Sequence, residues 1–276
     1  MRNVWALCRR EFAAYFLTPV GYVTVGIFAV LAGVGFRNLF FEFMRVSQEP
    51  SKYGYTSVPD FEEYFLNPFL TYCAILVMFL APLITMRLLA EEKHRGTVEQ
   101  LYTLPLREYQ IVFGKYLAAV GMVLVMMLVI GVDLAVVGWF TAVEPLILAA
   151  GLLSVFLMGL AFLALGLFVS ALSRNQMSAG TLTFGLSLLF FFISDMVAKL
   201  PRPEDPAGTT DSGLARAGFI VYDVFLESVG KLAADAHVKD MTLGVLNPED
   251  VAFYLLFAAF FLFLTFRALE SRFWRA

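Results

Sequence analysis

The chain has 276 residues, of which 60% are hydrophobic and 16% charged, and its mean hydropathy is +0.77. Soluble domains are about half apolar and about a quarter charged, so this composition predicts a protein that has lipid as its solvent along much of the chain. The net charge of −3, with only two cysteines and two histidines, argues against a nucleic-acid-binding protein, a disulfide-rich domain and a zinc-binding domain.

The first segment, residues 1–17, is predicted to form an amphipathic helix in the membrane interface. One half of its helical wheel is apolar and the other half carries Arg2, Arg9 and Arg10. Glu11 falls among the apolar residues, and either local pairing with a neighbouring arginine or contact with a cytoplasmic partner would explain its position. The segment lacks the pattern of a cleavable signal peptide, so we expect it to be retained.

Six later segments are long and apolar enough to cross a bilayer, which requires about 20 helical residues. The predicted spans cover residues 19–36, 66–88, 111–140, 146–173, 176–197 and 250–268. Thr18 and Pro19 have the cap and first-turn proline of a helix start, and Pro82 predicts a kink in the second span. The sequence therefore predicts an all-α integral membrane protein with an N-terminal amphipathic helix and six transmembrane helices.

The distribution of lysine and arginine predicts that both termini are cytoplasmic. With this orientation, 12 of the 20 basic residues fall in short cytoplasmic segments. They are Arg2, Arg9, Arg10, Arg87, Lys93, Arg95, Arg107, Lys115, Arg174, Arg267, Arg272 and Arg275. The remaining basic residues lie in two long outer loops, where the rule has little force.

Those outer loops are predicted to differ in structure. The loop at 37–63 contains an irregular stretch from residue 45 onwards. The larger loop, 198–249, opens with a linker rich in Pro, Gly, Ser and Thr and continues with a partly amphipathic helix at 214–236. That helix could lie on the outer membrane face or pack on the bundle, and the acidic loop could be simply solvated or could bind cations.

Two features inside the predicted spans have both structural and functional interpretations. Asp133 is the acidic residue deepest within a span, and it is either a functional carboxylate or a group hydrated near the interface. Small residues in the fourth and fifth spans fit close helix packing, although a substrate path or dimerisation through the fifth span would also use them. They are Gly151, Gly159, Gly166, Ser170, Gly180 and Gly185.

The polar segment 91–105, between the second and third spans, carries the start and stop signals of a short helix. Gly96 can end the helix that descends from the second span. Thr97 and Gln100 form a capping box, and the residue before Pro105 is disfavoured in the α conformation. We therefore predict a helix of about two turns across the end of the hairpin.

One side of this predicted helix is apolar and is formed by Val98, Leu101 and Tyr102. Charged residues surround it, among them Glu91, Glu92, Lys93, Arg95 and Glu99. Such a helix could rest on lipid headgroups. An apolar centre with a charged rim is equally typical of a docking surface for a soluble protein.

This segment, MRLLAEEKHRGTVEQLYTLPLREYQIVFGKYL, resembles the signature of type 2 ABC transporter permeases, in which an E-E-x-x-x-G-T-x-E-x-L-x-x-x-P pattern follows the second span. The motif positions are Glu91, Glu92, Gly96, Thr97, Glu99, Leu101 and Pro105. Tyr102 stands where leucine is commoner. The stretches FLTPVGYV, SRNQMSAG, LGVLNPEDVAFYLLF and RALESRFWR resemble the gliding-motility-type branch and, more distantly, the nitrous-oxide-reductase maturation permeases.

The resemblance covers almost the whole chain and implies a half-transporter of the bacterial inner membrane. It implies that residues 1–17 form an elbow helix and that 91–105 forms a coupling helix docked on a separate ABC ATPase. A second permease copy or a homologous permease would complete the assembly. A membrane partner with a periplasmic domain is a further possible component.

ATP and Mg would then belong to the partner ATPase, and this chain is expected to bind no cofactor and to be no enzyme itself. The sequence has two Gly-Lys pairs: Gly114-Lys115 is followed by Tyr116 and Gly230-Lys231 by Leu232, whereas a phosphate-binding loop requires Ser or Thr there. Three function classes remain: an ATP-driven exporter permease, a scaffold that relays ATPase motion to an outer partner, and a secondary transporter or channel. The last is disfavoured because the spans show no inverted repeat.

Overall fold

The structure is a computed structural model that describes residues 2–94, 96, 107–139, 141, 143–200, 213–244 and 246–273. All regular secondary structure in these ranges is helical, and six of the helical segments are long and apolar enough to cross a membrane. The predicted all-α fold with six transmembrane helices is therefore confirmed.

Helix α1 spans Arg2–Leu17 and helix α2 spans Pro19–Gln48. The predicted start at Pro19 is confirmed, because Thr18 is extended and the proline occupies the first turn. Thr18 also occupies the predicted N-cap position, but its side chain makes no capping hydrogen bond to α2. The Thr18 hydroxyl donates to the Ala14 carbonyl of α1, 3.0 Å away, and so completes the preceding helix.

Helix α2 continues beyond the predicted end of the first span at residue 36, and the first four residues of the stretch predicted to be irregular belong to it. Edge-to-face ring contacts stabilise this extension. Phe40 packs on Phe65 with ring centroids 5.7 Å apart, and Phe43 packs on Phe61 at 5.2 Å. Aromatic pairs of this geometry contribute about 1 kcal/mol beyond their buried area.

The second span is not one regular helix. A π-helical turn at Glu62–Leu66 leads into α3, Asn67–Thr85, and α4 follows at Ala90–His94. Residues 86–89 between α3 and α4 are turns, and we call them the helix break. Pro82 lies inside α3, four residues before the break begins. A proline removes the hydrogen bond to the residue four positions before it, so it does not explain the break, and the kink predicted at Pro82 stays a prediction.

The remaining helices are α5 (Glu108–Gly138), α6 (Pro145–Leu172), α7 (Gln176–Ala198), α8 (Gly213–Gly230), α9 (Ala234–Thr242) and α10 (Pro248–Phe273). The second and fourth spans form the centre of the bundle, since 72% of the apolar window of each is buried, against 22% to 33% in the others. The less buried spans therefore face lipid or another protein.

The small residues of α6 allow this central helix to approach its neighbours closely. A Cβ atom added at Gly159 would lie 3.0 Å from Val123 and 3.2 Å from Val77. At Gly166 it would collide with the Thr85 side chain. The predicted role in close packing is confirmed for the fourth span.

The large outer segment contains two helices where the sequence predicted one at 214–236. Gly230 ends α8, and a turn precedes α9. Helix α9 is anchored to α10 by His237, whose Nδ1 lies 2.6 Å from Asp250 Oδ1 and whose ring stacks on Phe253 with centroids 4.2 Å apart. The apolar residues Val221 and Phe225 of α8 remain exposed. Most of the predicted linker, residues 201–212, lies outside the described residues.

Candidate coupling site

The structure describes three of the residues predicted for ATPase coupling. Glu91 and Glu92 lie in α4, and Gly96 follows that helix. Arg95, Thr97, Val98, Glu99, Leu101, Tyr102 and Pro105 lie outside the described residues. The two-turn helix between Gly96 and Pro105 therefore stays a prediction.

Gly96 adopts a left-handed backbone conformation with φ of +71°. Its N–H donates to the Lys93 carbonyl at 3.3 Å, which satisfies one of the carbonyl groups left free at a helix end. The predicted helix end at Gly96 is confirmed, and glycine suits this φ because it has no Cβ.

A buried ammonium group stands at the centre of the site. Lys115 of α5 is only 1% exposed, and its Nζ lies 2.8 Å from Glu92 Oε1 and 3.4 Å from Glu11 Oε2. Glu92 belongs to the acidic motif and Glu11 to the N-terminal helix. These three residues, which we call the Lys115 cluster, tie α1, α4 and α5 together.

Glu11 makes two ion pairs at once. Arg10 Nη2 lies 2.6 Å from its carboxylate, which confirms the predicted local pairing, and Lys115 approaches from the other side. Burial alone raises the pKa of Glu11, but the charges of Lys115 and Arg10 outweigh this effect and hold the pKa below its ordinary value. Glu11 sits among apolar residues because that face of α1 packs on α5, where Leu7 would contact any Cβ placed at Gly114. Arg9 points away and is exposed.

The neighbouring carboxylate of the motif has a different partner. Glu91 Oε2 lies 3.2 Å from Arg87 Nε, one helical turn earlier in the chain, and Arg87 Nη1 lies 3.5 Å from the Thr18 hydroxyl. The two adjacent glutamates therefore face opposite sides of α4. A cavity of about 230 Å³ between α1 and the second span is lined by Tyr15, Arg87 and Glu91, among others.

Side chains from two other helices satisfy the backbone of the helix break. In a regular helix the Leu88 N–H would donate to the Ile84 carbonyl, but here it donates to Thr85 O at 3.1 Å. The buried Tyr15 hydroxyl donates to Ile84 O instead, at 2.9 Å. Burial of this phenol raises its pKa above the ordinary value, so the hydroxyl keeps its proton at every physiological pH.

On the opposite side, the Ser170 hydroxyl oxygen of α6 accepts from two backbone N–H groups. Leu89 N lies 3.1 Å away and Ala90 N lies 3.0 Å away. Lys93 extends this contact, because its ammonium donates to the Ala171 carbonyl and lies 3.4 Å from Ser173 O. A cation at the C-terminal carbonyl groups of α6 also interacts favourably with the helix dipole.

Asp133 lies in α5 outside this cluster, and it is partly buried. Its Oδ2 atom is buried and has no hydrogen-bond partner among the described residues. Both interpretations of this carboxylate remain open. Within the described ranges, no group of three His, Cys, Asp or Glu side chains is arranged to hold a metal ion.

Three residues of the site, Lys115, Tyr15 and Ser170, were not predicted to act there. A signal was present for Lys115, because it lies inside the predicted span 111–140, and an ionisable residue in a span is a functional candidate by the rule that selected Asp133. Ser170 was noted as a small residue only. No pattern near Tyr15 in the sequence indicates its bond to a carbonyl in the second span.

Comparison with known proteins shows which family model the sequence matches. Residues 31–220 match the family model described as ABC-2 family transporter protein. The match includes α3, α4, α5 and α6, and therefore the acidic motif, Lys115 and Ser170. A search of curated proteins found no match.

Proposed function

Because the chain belongs to the ABC-2 transporter family, we propose that it is the membrane-spanning permease subunit that couples ATP hydrolysis by a separate ATPase to export or conformational change. The six apolar helices make it a multi-pass membrane protein. We place it in the bacterial inner membrane with both termini in the cytoplasm, as the distribution of basic residues predicts.

The Lys115 cluster is the observation that carries this proposal. Glu92 stands four residues before Gly96 and is bonded to α5 through Lys115, while Glu11 brings α1 to the same ammonium. A force applied to residues 97–105 would be transmitted to α4, α5 and α1 together. Bonds between charges with little access to water are strong and geometrically specific, which suits a rigid connection.

In this mechanism, ATP and Mg bind to two partner ATPase subunits, and their closure pushes on the coupling helix of each permease. In the second span, α4 and α3 move as two separate rigid helices, because the helix break lies between them. A second permease copy or a homologous permease completes the assembly. ATP acts on another chain and shifts a two-state equilibrium in this one.

A scaffold that relays ATPase motion without moving a substrate is the second candidate. Helix α8 favours it, because the side chains of Val221 and Phe225 are 69% and 61% exposed and α9 anchors the segment to α10. The resemblance to the gliding-motility-type branch points the same way. In vesicles that contain the permease and its ATPase, ATP-dependent movement of a substrate would favour export, whereas activity only with an added outer-side partner would favour the relay.

The coupling proposal is tested by replacing Val98, Leu101 and Tyr102 together with alanine. We expect the ATPase to be lost on co-purification and ATP hydrolysis to be uncoupled from permease activity. The matched control replaces three exposed apolar residues of α2 with alanine, namely Val23, Ile27 and Val30. Normal ATPase yield and full activity in the coupling variant would refute docking at this segment.

The orientation has its own test. Both native cysteines, Cys8 and Cys73, are buried, so a single cysteine introduced at Thr103 or at Ser228 can be followed with an impermeant thiol reagent. In intact cells we expect labelling at residue 228 and protection at residue 103. The reverse pattern would refute the proposed topology.

A further inference from the structure

A groove with an aromatic floor and a charged rim lies between the start of α5 and the end of α10. Its volume is about 510 Å³, and Phe113, Phe263 and Phe266 line its floor while Glu108, Arg267 and Glu270 line its rim. None of these residues belongs to the Lys115 cluster. The groove therefore needs an explanation of its own.

The rim lies where the two helices leave the membrane. Glu108 is the first residue of one candidate span and Glu270 is the last residue of another. Phe113 lies five residues further along α5, about 7.5 Å deeper at the helical rise of 1.5 Å per residue. With these span ends at the headgroup level, the groove reaches towards the acyl region, where a phospholipid can enter it.

The rings of the floor already pack on one another or on the rim. The rings of Phe113 and Phe266 lie 5.6 Å apart, and the guanidinium of Arg267 lies over the Phe263 ring at 5.3 Å. Even so, Phe113 is 40% exposed and Phe263 is 52% exposed. These edges can contact an acyl chain, but they do not form an aromatic cage for a quaternary ammonium group.

The rim holds two carboxylates and one guanidinium. Arg267 Nη1 lies 2.9 Å from Glu270 Oε2, whereas Glu108 lies close enough to Glu270 for their charges to repel. Within the part of the chain that the structure describes, Glu108 has no cationic partner. A complementary headgroup would donate N–H groups to Glu108 and offer an anion to Arg267.

We propose that this groove binds a phospholipid with a phosphoethanolamine headgroup. The primary ammonium donates to Glu108 and Glu270, the phosphate accepts from Arg267, and one acyl chain follows the Phe113 edge. Phosphatidylcholine has no N–H to donate, and phosphatidylglycerol brings no cation to the carboxylates. The selectivity therefore rests on the ammonium hydrogens.

The test titrates purified, delipidated protein with dioleoyl phosphatidylethanolamine, phosphatidylcholine and phosphatidylglycerol and counts bound lipids by native mass spectrometry. We expect the ethanolamine lipid to bind at least about tenfold more tightly than the other two, since it alone can donate charge-assisted hydrogen bonds to the two carboxylates. Equal affinities for the three lipids would overturn the proposal.

The double variant Glu108→Gln, Glu270→Gln tests the residues. We expect its affinity for the ethanolamine lipid to fall about tenfold while its affinity for the choline lipid is unchanged. Glu249→Gln, an exposed residue at the other end of α10, is the matched control. Unchanged thermal unfolding confirms that the double variant is folded, and an unchanged affinity for the ethanolamine lipid in it would also refute the assignment. Neither measurement involves the ATPase.

Discussion

The ammonium of Lys115 and the carboxylate of Glu92 lie 2.8 Å apart, and the lysine side chain is 1% exposed. A lysine buried to this degree is costly unless its charge is compensated. Here Glu11 supplies a second carboxylate from α1. One ammonium group therefore bonds carboxylates of two helices that come from distant parts of the chain, and its removal would take the lysine charge from between Glu11 and Glu92.

We therefore expect Lys115→Met to destabilise the protein by about 3 kcal/mol, since breaking a buried ion pair by removing one partner is strongly destabilising. The measurement is the midpoint of thermal unfolding in detergent. Lys52→Met is the matched control, because Lys52 and Glu49 form an exposed pair that contributes about 1 kcal/mol or less. Similar effects of the two substitutions would contradict the role assigned to Lys115.

A triple variant separates charge from packing. When Glu11→Gln and Glu92→Gln are added to Lys115→Met, no carboxylate remains to be compensated. We expect part of the lost stability to return, so that the effects of the three substitutions are not additive. Strictly additive losses would show that Lys115 acts through its hydrocarbon chain alone.

The docking of α1 should weaken in acid. The pKa of Glu11 is held below its ordinary value of 4.5 by Lys115 and Arg10, so the docked state binds fewer protons than the undocked state. The contribution of the Glu11 ion pairs to the docking of α1 is complete above about pH 4.5. It is lost as the pH falls through the lowered pKa of Glu11. Thermal unfolding between pH 3 and 7 should show this acid loss in the native chain and a flatter curve for Glu11→Gln. Parallel curves would refute the linkage.

Much of the fold could be predicted from the sequence because a bilayer demands long apolar runs, and all six were recognised. The predicted first span stops at residue 36 because Arg37, Glu42 and Arg45 interrupt the apolar run, but α2 continues to Gln48 and includes the start of the stretch predicted to be irregular. In the structure these charged residues lie on the exposed side of the helix, while Val46 on the other side is fully buried. The interruption was thus a change of helix face and not the end of the helix.

The site was less predictable. The acidic motif and Gly96 could be located from local signals, because caps and helix ends depend on residues a few positions apart. The contact of Glu11 with Lys115 and that of the Ile84 carbonyl with Tyr15 could not, since they arise only from the packing of α1 against α5 and the second span. Side-chain hydrogen bonds and ion pairs of this kind depend on tertiary structure, and they produce no periodic pattern in the sequence.

Tyr15→Phe should loosen the helix break. Without the hydroxyl, the Ile84 carbonyl loses its donor, because the Leu88 N–H is already bonded to Thr85 O. An unsatisfied buried carbonyl costs about 1 to 3 kcal/mol. The control is Tyr116→Phe, whose hydroxyl donates to Leu160 O, a carbonyl within the regular helix α6. Hydrogen exchange of residues 84–94 should rise only in the Tyr15 variant, and equal rates in both variants would contradict this assignment.

Ser170→Ala should have the larger effect at the same place, since one hydroxyl oxygen accepts from both Leu89 N and Ala90 N. Two buried N–H groups would lose their acceptor, and we expect a loss of about 2 kcal/mol or more. Ser154→Ala is the matched control. Ser154 is a buried serine on the same helix, and its hydroxyl donates to Gly151 O of its own helix, so its loss leaves no amide of another segment unpaired. If hydrogen exchange at Leu89 and Ala90 rises in the Ser170 variant alone, the serine holds α4 at its angle to α3. If both serine variants leave exchange there unchanged, the break is held by packing and not by this hydroxyl.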